Sequence, residues 1–299
     1  MAPRIQPASR RPNNRPPVFL SSMTTAPPFR LLTATDLHRH PSLYAQLALA
    51  VARHQPDVVA LVGDFLHASS STREILTNQV AAQLLADLPC SEVVFVRGNH
   101  EDAEWLDFFK AWPHERRPMR ALHASLFCLG PLTLVGFPCL LGDELPYVAS
   151  LAELGDERPE LAELAYSHSV FPWLKHLAPR AGPAGQAIWL MHEPPAGLPI
   201  ASESPIVSRL EWAEAIARFQ PRLTISGHDH HTPQGAGAWH ASIGRTTCFN
   251  AGQSQNGPLH YLLVEASTQG PTQAPRIRVS RHPDGQQALE LSPEGWGST

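Results

Sequence analysis

The sequence predicts an α/β fold whose sheets are covered by helices. Three observations predict it. From Arg30 onward, short apolar runs rich in β-branched residues alternate with longer segments of helical period. Some runs, such as DVVALVG, are apolar throughout, as strands buried on both faces are. Polar residues recur just after these runs, at the strand ends where open α/β sheets bind ligands.

The elements follow in order. Residues 1–29 are rich in Pro, Arg, Asn and Ser and poor in apolar periodicity, and they are expected to be a disordered extension. RLLTAT reads as a strand. Ser42 is expected to cap the helical SLYAQLALAVARHQ. DVVALVG is a strand, TREILTNQVAAQLLADL a helix, EVVFVRG a strand and AEWLDFFKAW a helix. LTLVGF and AIWLMH are strands. Between them, residues 138–185 include helical pieces such as PELAELAYSHSVFPWLKHLA and are expected to form a variable wall or cap. The helix SRLEWAEAIARF leads into the strand RLTISG. TTCFNAG and HYLLVEA are strands, and RIRVSRHPDGQQALEL is a hairpin turning at PDG. Residues 30–292 are expected to form one domain, with 293–299 as a tail.

Composition excludes some functions. The formal net charge is −4, yet all five basic residues of the first thirty are arginines with no acid among them. The rest of the chain therefore carries 18 basic against 27 acidic side chains, which argues against broad nucleic-acid binding. No apolar run approaches the ~20 residues of a membrane span. No apolar stretch follows the basic N-terminus, so a cytoplasmic setting is expected. Cys90, Cys128, Cys139 and Cys248 have no CxxC spacing and read as small buried hydrophobes.

The chemistry sits at the strand ends. Asp36 and His38 follow the first strand, Asp64 the second, and Asn99, His100 and Glu101 the third. His192 follows AIWLM, and His228 and His230 follow RLTIS. Carboxylates and imidazoles suit Mn, Fe or Zn, and no thiolate is offered. There are enough donors for two ions. Asp64 is the natural bridge, since a carboxylate can hold one metal with each oxygen. Two such ions clamp the attacking and leaving oxygens of a phosphoryl displacement. His100, next to Asn99, is placed to donate a proton to the leaving oxygen. Glu101 is expected to orient His100.

The ordered set DLH, GD, GNHE, H and GHDH resembles the calcineurin-like metallophosphoesterase superfamily over about residues 31–248. The resemblance implies a four-layer αββα sandwich of two mixed sheets flanked by helices, with the metal site at strand C-terminal ends. It implies that Asp36, His38, Asp64 and His230 hold one metal, that Asp64, Asn99, His192 and His228 hold the other, and that His100 is catalytic. Two divalent or trivalent ions are expected, Mn favoured over Fe and Zn. The expected reaction is hydrolysis of a phosphodiester or phosphomonoester, small or nucleotide-like, by a metal-bridging hydroxide. His67, Arg39 and His231 are candidate substrate-facing residues.

Alternatives within the superfamily are separable. RGNHE resembles the serine/threonine protein phosphatase branch, but the second motif, GDFLHAS, lacks that branch's arginine. A DNA exonuclease would present a basic groove. A non-catalytic scaffold would have lost His100 or some of the donors.

Overall fold

The computed structural model describes residues 27–66, 75–101, 105–123, 125–130, 132–139, 170–177, 186–254, 257–268, 274–283 and 287–291. The expected disorder of residues 1–26, most of the 138–185 wall, the 293–299 tail and His67 lie outside these described residues.

Two mixed sheets form the centre. In the first, β1 (Phe29–Ala34), β2 (Val58–Val62), β3 (Glu92–Val96) and β4 (Arg120–Ala121) run parallel. On its other side, β11 (Tyr261–Ser267) pairs antiparallel with β1, followed outward by β12 (Arg276–His282) and β13 (Gln287–Leu291). The second sheet has the order β5 (Ser125–Leu129), β6 (Leu132–Phe137), β7 (Ala187–Met191), β8 (Leu223–Ser226), β10 (Thr246–Asn250), β9 (His240–Ile243). Its four inner strands are parallel and its two edges antiparallel.

The period-2 alternation of side chains builds the layers. Leu32, Val59, Leu61 and Phe95 pack outward against the helices α1 (Pro41–His54), α2 (Asn78–Ala86) and α3 (Trp105–Ala111), through Leu47, Leu85 and Phe108. Their neighbours Leu31, Val58, Ala60 and Val94 face inward onto Leu134, Ile188, Ile225 and Phe249 of the second sheet. That sheet's outer residues Val135, Phe137 and Trp189 meet α4 (Val170–Leu177) and α5 (Leu210–Phe219) through Leu174, Trp212 and Ile216. The order is helix, sheet, sheet, helix. Each fully buried leucine or phenylalanine contributes about 1.5–3 kcal/mol of transfer free energy.

The structure corrects some local expectations. Ser42 does not cap α1. The helix begins one residue earlier with Pro41, whose missing N–H removes an otherwise orphaned donor, and Ser42 Oγ bonds His40 Nδ1 at 2.9 Å. Instead, a side-chain cap occurs on α2, where Thr77 Oγ1 accepts from the Val80 N–H at 3.2 Å. Only Cys248 is a buried cysteine. Cys90 and Cys139 are half-buried, and Cys128 is exposed because it lies on the edge strand β5. Among the described residues, no helix is long and apolar enough to cross a membrane.

Candidate metal centre

Five parallel strands end at one edge of the sandwich and deliver the polar residues there. Asp36 and His38 leave β1, Asp64 leaves β2, and Asn99 and His100 leave β3. His192 leaves β7 and His228 and His230 leave β8, in the other sheet. The chain bends sharply to do so. Among the described residues seven non-glycines have positive φ, and five of them are Asp36, His38, Arg39, Asp64 and His228. Left-handed backbone at such residues costs roughly 1–3 kcal/mol each, and persists only where the surroundings enforce it. Here main-chain bonds do so. Asp36 N–H donates to Gly63 O at 3.0 Å, His38 N–H to Asp64 O at 2.9 Å and Gly227 N–H to His192 O at 2.9 Å.

Close backbone approach needs glycine at several points, among them Gly98 and Gly63. A Cβ on Gly98 would collide with the Asp64 carboxylate, and one on Gly63, at φ +86°, would collide with the His192 ring.

Two sets of donors result, Asp36–His38–His230 and Asp64–His192–His228, and within each the donor atoms all lie within 4.8 Å of one another. His230 Nε2 is 3.2 Å from Asp36 Oδ1. His38 Nε2 and His230 Nε2 face each other at 3.4 Å. His192 Nε2 is 3.2 Å from both Asp64 Oδ2 and Asn99 Oδ1. The same Asp64 oxygen is 4.0 Å from His38 Nε2 and 3.9 Å from His100 Nε2. Convergent imidazole and carboxylate lone pairs, with no thiolate among them, fit hard or borderline divalent ions.

Backbone carbonyls set two of the rings. Val62 O lies 2.9 Å from His192 Nδ1, and Ile206 O lies 2.9 Å from His228 Nε2. A carbonyl only accepts, so those nitrogens carry protons, and the opposite nitrogen of each ring is the one left to face a metal.

Charge is concentrated here. Burial opposes ionisation of Asp64, but His192, and then His38 and His100, outweigh it and hold its carboxyl well below the usual range. Burial likewise opposes ionisation of Asp36, and the His230 contact reverses it downward. Burial disfavours a charged His192, yet Asp64 and Asp36 push its pKa up to about 10.

The Glu101 carboxylate serves the main chain. The residue is fully buried, and its carboxylate accepts N–H bonds from Asp64 at 2.9 Å, Leu66 at 3.0 Å and Gly98 at 2.5 Å. The expectation that it orients His100 is therefore corrected: its two oxygens are occupied in tying the β2 and β3 loops together. Burial, and then the charge of Asp64, raise its pKa to about 7. Of the substrate-facing candidates, Arg39 Nη1 donates to Asn78 Oδ1 at 3.1 Å, and His231 is exposed with its ring 6.0 Å from that of His230.

Asp229 sits in sequence between two candidate donors, where it is expected to point away from them, and Asn250 escaped sequence reading. Asp229 accepts from Ser202 N–H at 2.7 Å, His231 N–H at 3.0 Å and Thr232 N–H at 2.8 Å, so it turns away from the donors and braces their loop. Asn250, at the end of β10, donates to Ile200 O at 3.2 Å and Gly227 O at 3.3 Å.

The family model for calcineurin-like phosphoesterases matches residues 29–232, more than half of the chain. The chain belongs to the calcineurin-like phosphoesterase family. Family membership supports metal-dependent hydrolysis of phosphate esters. No curated protein matches the chain. The fold is similar to that of a dimetal phosphatase from Danio rerio, at 16% identity and a TM-score of 0.52 over 89% of this chain and 99% of that one. It is also similar to the TT1561 protein of Thermus thermophilus, at 18% identity and a TM-score of 0.52 over 80% of this chain and 94% of that one.

Proposed function

We propose that this calcineurin-like phosphoesterase is a dinuclear enzyme that hydrolyses a small or nucleotide-like phosphodiester or phosphomonoester, with Mn the favoured metal. The observation that carries the reading is the position of Asp64, whose Oδ2 is approached by His192 at 3.2 Å from one donor set and by His38 at 4.0 Å from the other. Asp36, His38, Asp64 and His230 would hold one ion, and Asp64, Asn99, His192 and His228 the other. When bound, two such ions acidify a shared water and stabilise the attacking and leaving oxygens of the displacement.

The remaining work falls to the chain. The carbonyls of Val62 and Ile206 keep the opposite ring nitrogens of His192 and His228 turned inward. His100 is the open member of the group, with 42% of its side chain exposed against 6% for His38 and none for His192. Its main-chain N–H donates to Asp64 Oδ1 at 3.0 Å, which fixes the ring's origin at the centre. From there His100 delivers a proton to the leaving oxygen. The acidic body favours small substrates over long DNA. The proposal includes a single domain over residues 30–292 and a cytoplasmic setting for a chain whose four cysteines form no disulfide.

The test is hydrolysis of p-nitrophenyl phosphate and bis-p-nitrophenyl phosphate by chelator-stripped protein before and after Mn²⁺ is restored. Metal-dependent turnover absent from Asp64→Ala supports the reading, and the ratio of the two rates separates monoesterase from diesterase. Turnover that survives both chelation and the substitution would overturn it.

A further inference from the structure

The loop between β7 and α5 carries a cleft of about 640 Å³, within the size range of small-molecule sites. Ala196, Gly197, Pro205 and Leu210 supply its apolar wall, and Glu203, Glu211 and Arg209 its charged groups. Leu210 is 73% exposed and its loop neighbour Ile206 71%, unusual exposure for large aliphatic side chains. The loop that lines the cleft also reaches a candidate metal ligand. Pro205 and Ser208, which line it, flank Ile206, and Ile206 O is the carbonyl 2.9 Å from His228 Nε2.

The loop is built rather than merely present. Ser202 N–H is bonded to Asp229 at 2.7 Å, Ser208 Oγ to Ser202 O at 2.6 Å, and Arg209 N–H to Pro194 O at 3.0 Å. Arg209 Nη1 is paired at 3.3 Å with Glu193, which is fully buried. That pairing commits the guanidinium within the loop, and Glu203 adds a carboxylate to the lining, so the cleft disfavours a second phosphate.

We propose that this cleft receives the organic leaving group of the ester, and that it selects an apolar group, neutral or cationic, over an anionic one. The inference rests on the phosphoesterase reading for what occupies the metal centre. The cleft's own selectivity can be read without turnover.

The experiment measures binding of 1-naphthylmethylphosphonate and of methylphosphonate to the Mn²⁺-loaded protein, wild type and Leu210→Asp. A companion analogue carries a sulfonate on the naphthyl ring. Both Leu210→Asp and a milder Leu210→Ser change an exposed side chain, so folding is retained. In the wild type the naphthyl compound is expected to bind about tenfold or more tighter than the methyl compound, the scale of one buried apolar group. That preference is expected to collapse in Leu210→Asp and to shrink in Leu210→Ser, and the sulfonate is expected to abolish it. Equal binding of the naphthyl and methyl compounds in the wild type, or a preference untouched by either substitution, overturns the cleft. A sulfonated analogue that binds as well as the parent overturns its charge selectivity. If the preference appears and is lost in the variant, yet neither naphthyl phosphate nor methyl naphthyl phosphate is hydrolysed, the phosphoesterase reading fails and the cleft stands.

Discussion

Asp64 Oδ2 and His192 Nε2 meet at 3.2 Å although they leave strands of different sheets. The contact joins the two halves of the sandwich at the edge where all the candidate donors gather. Gly63 permits it, because its missing side chain leaves room for the His192 ring.

Removal of the proposed proton donor should separate chemistry from metal binding. His100→Ala is expected to retain its ions and to lose roughly 10²–10⁴ in turnover, most strongly with poor leaving groups. Metal content and steady-state kinetics of the same preparation check this. Full turnover on a poor leaving group would remove His100 from the mechanism.

Gly98 is expected to be intolerant of a single added methyl group. In Gly98→Ala the new Cβ meets the Asp64 carboxylate, so the carboxylate or the β3 loop must shift. A displacement near 1 Å in such a site can cost about 10²-fold in rate. Kinetics of Gly98→Ala beside an alanine substitution at the unobstructed Gly235 provide the comparison.

Glu101 should act on stability first. Glu101→Ala leaves three buried N–H groups without their acceptor, at about 1–3 kcal/mol each, so a loss of order 3 kcal/mol or more is expected. Glu101→Gln keeps one carbonyl oxygen and should fall between wild type and alanine. Urea unfolding of the three proteins tests the order. Equal midpoints would show that the loops do not depend on this carboxylate.

His123 introduces a pH dependence away from the centre. It is buried, 5.1 Å from the Trp105 ring, and burial followed by the charge of Arg97 holds its imidazole well below the usual range. The unfolded chain therefore binds a proton below about pH 6.5 that the folded chain resists. Stability is fully present above that pH, and falls below it by up to about 1.4 kcal/mol per pH unit for this one group. His123→Phe should flatten that part of the profile. Parallel urea midpoints of the chelator-stripped wild type and variant at pH 7.5 and 5.5 measure it.

The strands that build the centre were legible because they are short apolar runs rich in β-branched residues and each is followed by a motif residue. Asp36, His38, Asp64, Asn99, His192, His228 and His230 could be read as one group from that pattern and the family resemblance. The two-sheet sandwich followed from the family resemblance, whereas alternation along β1–β3 and β7–β8 alone does not say which face meets which. The role of Glu101 was misread because sequence adjacency to His100 says nothing of three N–H groups brought in by Asp64, Leu66 and Gly98. Asp229 could be expected to point away from the donors but not to brace their loop, because the group that defines that task includes Ser202, 27 positions away. Ser42 looked like a cap because Pro41 was not weighed as the first helical residue.

The most direct test is an equilibrium Mn²⁺ titration of chelator-stripped wild type, Asp64→Ala and His192→Ala. Two ions per chain are expected in the wild type, weakening of both in Asp64→Ala, and selective loss of one in His192→Ala. A single ion in the wild type, or two unweakened ions in Asp64→Ala, would contradict a centre built around a shared carboxylate.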